Sequence, residues 1–299
     1  MSPTRLDAYF SEKKKLVEAE LDRLLPRSDE EPLRLHESMR YSVMAGGKRL
    51  RPVLAITAYE LCGGTDNRIL PPACGLEFIH TYSLIHDDLP CMDNDDFRRG
   101  RPTNHKVYGE AMAILAGDAL LTLAFDCFLG RGFPGEIPGD ALARIGRCVS
   151  VAVGSLGLVG GQVMDIEQYA KDRQLETLNT TCFLKTGCLI EVSLEIGTIL
   201  ANAPEAEIKA LKNYGKKIGL AFQVADDILN VTGDAATLGK AVKTDAKLEK
   251  VTFPELLGLA GASQYARELV EEAKQDLAPW GTLAWMLTDL ADFVVERQL

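Results

Sequence analysis

The stretch His86-Asp87-Asp88-Leu89-Pro90-Cys91-Met92-Asp93-Asn94-Asp95-Asp96-Phe97-Arg98-Arg99-Gly100 places five carboxylates within ten positions at the end of an apolar run. Neighbouring carboxylates repel one another unless cations share them, so a fold must either spread this charge into water or supply counter-charge. Divalent metal is the natural counter-charge. Oxygen donors suit Mg²⁺, which keeps several waters and is held by one or two carboxylates plus substrate phosphates. Arg98 and Arg99, directly after the acids, could grip the same phosphates. The competing reading is a solvated acidic loop after a helix. A second cluster on another apolar run, Asp226-Asp227-Ile228-Leu229-Asn230, counts against it.

The formal net charge of -10 and a pI near 5.0 argue against a general nucleic-acid binder and against an anionic membrane surface as main partner. An anionic ligand must therefore meet local cations. The seven cysteines show no metal-binding spacing and read as reduced thiols. Met1 to Glu20 is charged and lacks the apolar core of a secretory signal, and no stretch of about 18 apolar residues suggests a membrane span. A soluble, cytoplasmic protein with no stable membrane insertion is expected.

Helical spacing recurs along the chain. Residues 4–25 read as an outer, half-exposed helix and Leu33 to Val43 as a second. The segment Gly46-Gly47-Lys48-Arg49-Leu50-Arg51-Pro52 presents three cations within four residues after two glycines that let the backbone turn close to a ligand. It resembles a phosphate-holding loop without the nucleotide P-loop spacing, and a solvated turn is its alternative. Pro71 and Pro72 open the helix that carries the first acids. On it His80, Leu84 and Asp87 follow an i, i+4, i+7 stripe, which puts His80 on the face of the first aspartate, roughly 10 Å along the axis. Pro90 predicts a break, so Asp93 need not follow helical pitch.

Ala111 to Leu129 reads as a buried helix, and Gly160-Gly161-Gln162 with Asp165 as a place of close helix packing. Thr180 to Leu200 reads as one helix containing Lys185-Thr186, with a snorkelling surface lysine as the plain alternative. Ala206 to Thr232 carries the second acid cluster, and Gly219, Gln223, Asp226 and Asn230 form a polar stripe along it. A loop with Lys240, Lys243, Lys247 and Lys250 follows, then two further helical segments. No alternating β-branched run supports a sheet. The chain reads as all-α, with ten to thirteen helices in a single domain over residues 1–299.

The acid pairs with Arg98-Arg99, together with Gly47-Lys48-Arg49-Leu50-Arg51-Pro52, Gly160-Gly161-Gln162, Lys185-Thr186 and Phe222-Gln223-Val224-Ala225-Asp226-Asp227, resemble the ordered motifs of trans-prenyl diphosphate synthases across nearly the whole chain. The resemblance is closest to the bacterial farnesyl diphosphate synthases. It implies an isoprenoid synthase type helical bundle around a deep central cavity, usually a homodimer, which elongates an allylic diphosphate with isopentenyl diphosphate. By the same resemblance Asp87, Asp88, Asp93 and Asp226 would bind Mg²⁺, three ions with substrate bound. Lys48, Arg51, His80 and Arg99 would hold isopentenyl diphosphate, and Arg98, Lys185, Thr186, Gln223 and Lys240 the allylic diphosphate. Asn230 departs from the family pattern, since an amide oxygen accepts hydrogen bonds but adds no charge; the affinity for the third ion is what it affects.

A class I terpene cyclase would not need two diphosphate sites, and a non-catalytic partner subunit would tend to lose more acids than Asn230. For product length, Tyr82 lies five residues before Asp87, about 7.5 Å along the helix. Its role as the floor of the chain pocket comes from the resemblance, as pitch turns it roughly 140° away from that aspartate. A bulky aromatic there, with the inserted Leu89-Pro90, resembles bacterial farnesyl (C15) synthases. The segments Cys91 to Asp96 and Pro102 to Val107 resemble geranylgeranyl (C20) enzymes of plants and cyanobacteria. The sequence reading favours C15, because pocket volume acts directly on chain length.

Overall fold

The computed structural model describes residues 4–232 and 251–296. Thirteen α-helices stand among the described residues: α1 (Arg5–Leu24), α2 (Leu33–Val43), α3 (Leu50–Leu61), α4 (Leu70–Asp87), α5 (Asn104–Tyr108), α6 (Glu110–Leu129), α7 (Gly139–Val153), α8 (Leu158–Ile166), α9 (Leu175–Cys182), α10 (Cys188–Leu200), α11 (Glu205–Thr232), α12 (Phe253–Asp276) and α13 (Trp285–Glu296). The all-α reading holds. The one sheet among the described residues is a hairpin of β1 (Phe97–Arg98) and β2 (Arg101–Pro102), in register Phe97 with Pro102 and Arg98 with Arg101.

The chain forms two compact units, residues 1–56 with 65–146 and residues 57–64 with 147–299. In the first, α4 is buried on nearly every side, with Leu76, Phe78 and Ile79 fully enclosed, as a helix without a polar face must be. Gly117 lets α6 approach α4, because a Cβ there would lie 2.0 Å from His86 Nε2. The sequence expectation that Ala111 to Leu129 is buried needs correction. One side of α6 packs on α4, but Ile114 and Leu115 are 44% and 53% exposed. By length and composition α6 and residues 139–166 are also long and apolar enough to cross a membrane, contrary to the sequence reading. Composition alone does not separate a core helix from a span, and α6 makes core contacts through Ala113, Leu120 and Phe128.

In the second unit α10 and α11 lie close together. A Cβ on Gly215 would stand 2.9 Å from the Glu191 Cα of α10, and one on Gly219 2.7 Å from the Cα of Gly187, the residue just before α10. The Tyr214 hydroxyl donates to the Leu287 carbonyl (2.7 Å) and fixes α11 to α13. The single helix expected over Thr180 to Leu200 is divided: a π turn, Phe183–Gly187, separates α9 from α10. An added residue in one turn leaves the apolar spacing on either side almost unchanged, which is why periodicity does not reveal it.

Candidate active site

Each unit brings one acid cluster and one set of cations. In the first, α4 ends at Asp87 and the chain folds back on itself: the Asp93 amide donates to the Asp87 carbonyl (2.8 Å) and the Asn94 amide to that of Leu89 (3.1 Å). The break expected at Pro90 therefore returns the exposed Asp93 to the half-buried Asp87. Asp88 is placed differently. It is 3% exposed and receives Arg98 Nε on both oxygens (2.8 and 3.0 Å) and Nη2 at 2.6 Å. Burial pushes its carboxyl up, and Arg98 opposes that shift.

Among the described residues no three histidine, cysteine or acidic side chains converge as a metal cage. Asp87 and Asp93, joined through their backbones, instead offer the one or two carboxylates that Mg²⁺ takes when phosphates and waters complete its shell. The donor set fits that ion.

The hairpin aims the arginine pair. Arg99 and Gly100 both have positive φ (52° and 73°), the requirement of a type I′ turn. Arg98 is thereby sent to Asp88, and the Arg99 guanidinium to the Gly46 carbonyl. Gly47 makes room for it, since a Cβ there would lie 2.8 Å from Arg99 Cζ. Lys48 on this loop is exposed, and Arg51, in the first turn of α3, is half-buried. His80 completes the group: burial first, then Arg51, Arg99 and Arg98, hold its imidazole well below the ordinary histidine range. A neutral imidazole among guanidinium groups suits an anion, which would relieve their mutual repulsion. A cavity of about 40 Å³ lies beneath, lined by Thr81, Asp88, Arg98, Arg99, Arg101 and Asn104 among others, and the Thr81 hydroxyl in its wall has no protein partner. Such a space admits a water. Tyr82 is buried, its ring edge-on to that of His86 at 5.8 Å, and His86 Nε2 meets the Ile114 carbonyl at 3.0 Å.

In the second unit Lys185 and Thr186 sit in the π turn, a feature often found at functional sites. Gly161 brings α8 against it, as the sequence reading expects of that motif: a Cβ would lie 2.2 Å from the Lys185 amide nitrogen. Lys185 Nζ reaches Asp165 Oδ2 at 2.7 Å, so this lysine is oriented and not a loose surface chain. Thr186 and Gln223 approach at 3.4 Å. A cavity of about 320 Å³ is lined by Asp165, Cys182, Lys185, Thr186, Gln223 and Asp227 among the described residues. Asp226 is exposed, whereas Asp227 is 8% exposed and accepts the Phe253 amide at the start of α12 (3.1 Å). Asn230 is half-buried one helical turn on. Lys240 lies outside the described residues.

Two features escape sequence reasoning. Asp165 belongs to a recognisable motif, but nothing in the spacing of 20 positions announces Lys185 as its partner. Arg49 reads as one of three cations presented to a ligand, or in the alternative to water, yet it is 2% exposed. A buried arginine is betrayed only by the acids that face it.

Comparison with known proteins agrees with this geometry. The family model described as polyprenyl synthetase matches residues 32–280. A geranylgeranyl diphosphate synthase of Cyanophora paradoxa is 44% identical over 290 residues, covering 97% of this chain and 95% of that protein. A dimethylallyltranstransferase of Fischerella ambigua is 45% identical over 293 residues, covering 98% of this chain and 84% of that one. Among solved structures, an FPP/GFPP synthase from Zymomonas mobilis superposes with a TM-score of 0.86 at 35% identity, covering 97% of this chain and 98% of that one.

Proposed function

The chain belongs to the polyprenyl synthetase family, and on that premise we propose that it is a short-chain trans-prenyl diphosphate synthase whose main product is geranylgeranyl diphosphate. Prenyl transfer between isopentenyl and allylic diphosphates is the chemistry of the family, and its members use Mg²⁺. The observation that carries the C20 reading is the identity, across nearly the full chain, with a relative named for that product. It outweighs the C15 expectation, which rests on Tyr82 and the Leu89-Pro90 insertion. That expectation remains the second reading, because Tyr82 is buried on α4 and fixed edge-on by His86.

The residues divide the work. Asp87, Asp93 and Asp226 would hold Mg²⁺, which when bound stabilises charge on the departing diphosphate. Lys185, Thr186, Gln223 and Arg98 bind the allylic diphosphate, and Asp165 and Asp88 keep Lys185 and Arg98 oriented before it arrives. Lys48, Arg51, Arg99 and the neutral His80 bind isopentenyl diphosphate. The allylic carbon–oxygen bond breaks, the isopentenyl double bond forms the new carbon–carbon bond, and a proton passes to the released diphosphate to restore neutrality; water must be kept from the cation.

A homodimer in the cytoplasm completes the proposal. The exposed Ile114 and Leu115 on α6 support pairing, and seven cysteines without a disulfide support a reducing compartment. The test is chromatography of the dephosphorylated products from purified chain, Mg²⁺, labelled isopentenyl diphosphate and each allylic primer. Mainly C20 alcohol is expected; mainly C15 would replace the main reading with the second.

A further inference from the structure

Arg49 stands inside the cationic run yet does not face water. Its guanidinium spends its donors on three segments: Nε on Glu18 Oε1 of α1 (2.8 Å), Nη1 on Glu77 Oε1 of α4 (2.7 Å), and Nη2 on the carbonyl of Val43, the last residue of α2 (2.7 Å). The Val43 carbonyl is one of those an α-helix leaves without an internal partner. The backbone at Arg49 is left-handed (φ 53°), after Gly46 and Gly47 at 84° and 127°, and its carbonyl accepts the Val53 amide (3.0 Å) at the start of α3. That conformation is strained for an L-residue. The buried fork holds it in place.

The placement has a geometric consequence. Glu77 precedes His80 by three residues on α4, so the two share a face one turn apart. Arg49 adjoins Lys48 and precedes Arg51 by two. A clip between Arg49 and Glu77 therefore fixes the separation between the segment bearing Lys48 and Arg51 and the helix bearing His80. Glu18 and Glu77 also bring two carboxylates to one guanidinium. Burial, with the charges of Arg49 and Arg98, pushes the neighbouring Arg99 down, and Glu77 and Glu18 oppose that shift.

We propose that Arg49, without touching substrate, is the positioning residue of the isopentenyl diphosphate site, acting through its buried contacts with Glu77, Glu18 and Val43. The inference rests on the assignment of Lys48, Arg51, His80 and Arg99 to that diphosphate. Arg49→Lys keeps the charge but loses the planar fork, so it cannot satisfy all three acceptors. It should raise the KM for isopentenyl diphosphate about tenfold, with kcat and the allylic KM within about twofold, because displaced contacts weaken one substrate only. The double variant Arg49→Met/Glu77→Met replaces the buried pair with apolar side chains, a change the fold tolerates better than one unpaired charge. It should show the same split at a thermal midpoint near that of the native chain. Equal changes in both KM values, a lowered midpoint with the isopentenyl KM unchanged, or failure of both variants to fold would assign the network to the fold alone and overturn the proposal. Native chain that turns over no substrate would instead overturn the functional reading beneath it.

Discussion

Asp226 and Asp227 are neighbours in sequence but differ in surroundings, and substitution should separate them. Asp226 is exposed on α11, so Asp226→Ala should lower kcat by several orders of magnitude and leave the thermal midpoint in place. Asp227 accepts the first amide of α12, so Asp227→Ala should cost about 1 kcal/mol in denaturant unfolding, the usual worth of such a cap. Near-normal turnover in the first variant would refute its metal role; unchanged unfolding in the second would refute the cap. His80 offers a pH test. Its imidazole sits well below the ordinary value of 6.5 through burial and through Arg51 on α3 and Arg99 and Arg98 on the hairpin. The unfolded chain takes up that proton first as pH falls, so His80's contribution to stability is complete above about pH 6.5 and declines below it. His80→Gln should flatten this limb of the stability profile, and an unaltered limb would show that the group does not titrate in this way.

At the scale of elements, glycines decide how closely helices meet. Gly161→Ala would drive a methyl into the backbone of the π turn at Lys185, where no flexible chain can move aside. The expected result is a loss of about 1–3 kcal/mol of stability together with a raised allylic KM. A variant with native melting and kinetics would show that the turn yields freely. Gly117→Ala acts on α4 instead, by displacing the His86 ring from the Ile114 carbonyl and removing the edge that steadies Tyr82. Product chromatography should then show a changed chain-length distribution; an unchanged one would take Tyr82 out of length control. The helix-breaking role of Pro90 is legible in the sequence, because proline lacks the amide a helix needs. The left-handed arginine at Arg99 is not, because only its neighbour Gly100 is of a type that adopts positive φ readily.

For the whole molecule, ligand binding should appear as stability. Since no three-ligand cage stands among the described residues, Mg²⁺ alone should shift the thermal midpoint little, whereas Mg²⁺ with inorganic diphosphate should raise it by mass action. Equal shifts from the metal alone would mean that the carboxylates suffice without phosphate. The sequence by itself determined the helical class, the two acid motifs and the cation sets, because apolar periodicity and local charge density are properties of neighbours along the chain. Only the tertiary structure decided which groups are already engaged: Asp88 by Arg98, Lys185 by Asp165, Asp227 by the start of α12, and Arg49 by Glu18 and Glu77. Burial removes water as a competing partner, so the cost of an isolated charge must be met by groups distant in sequence. Those pairings are set by how the helices pack, and residue order alone does not encode them locally.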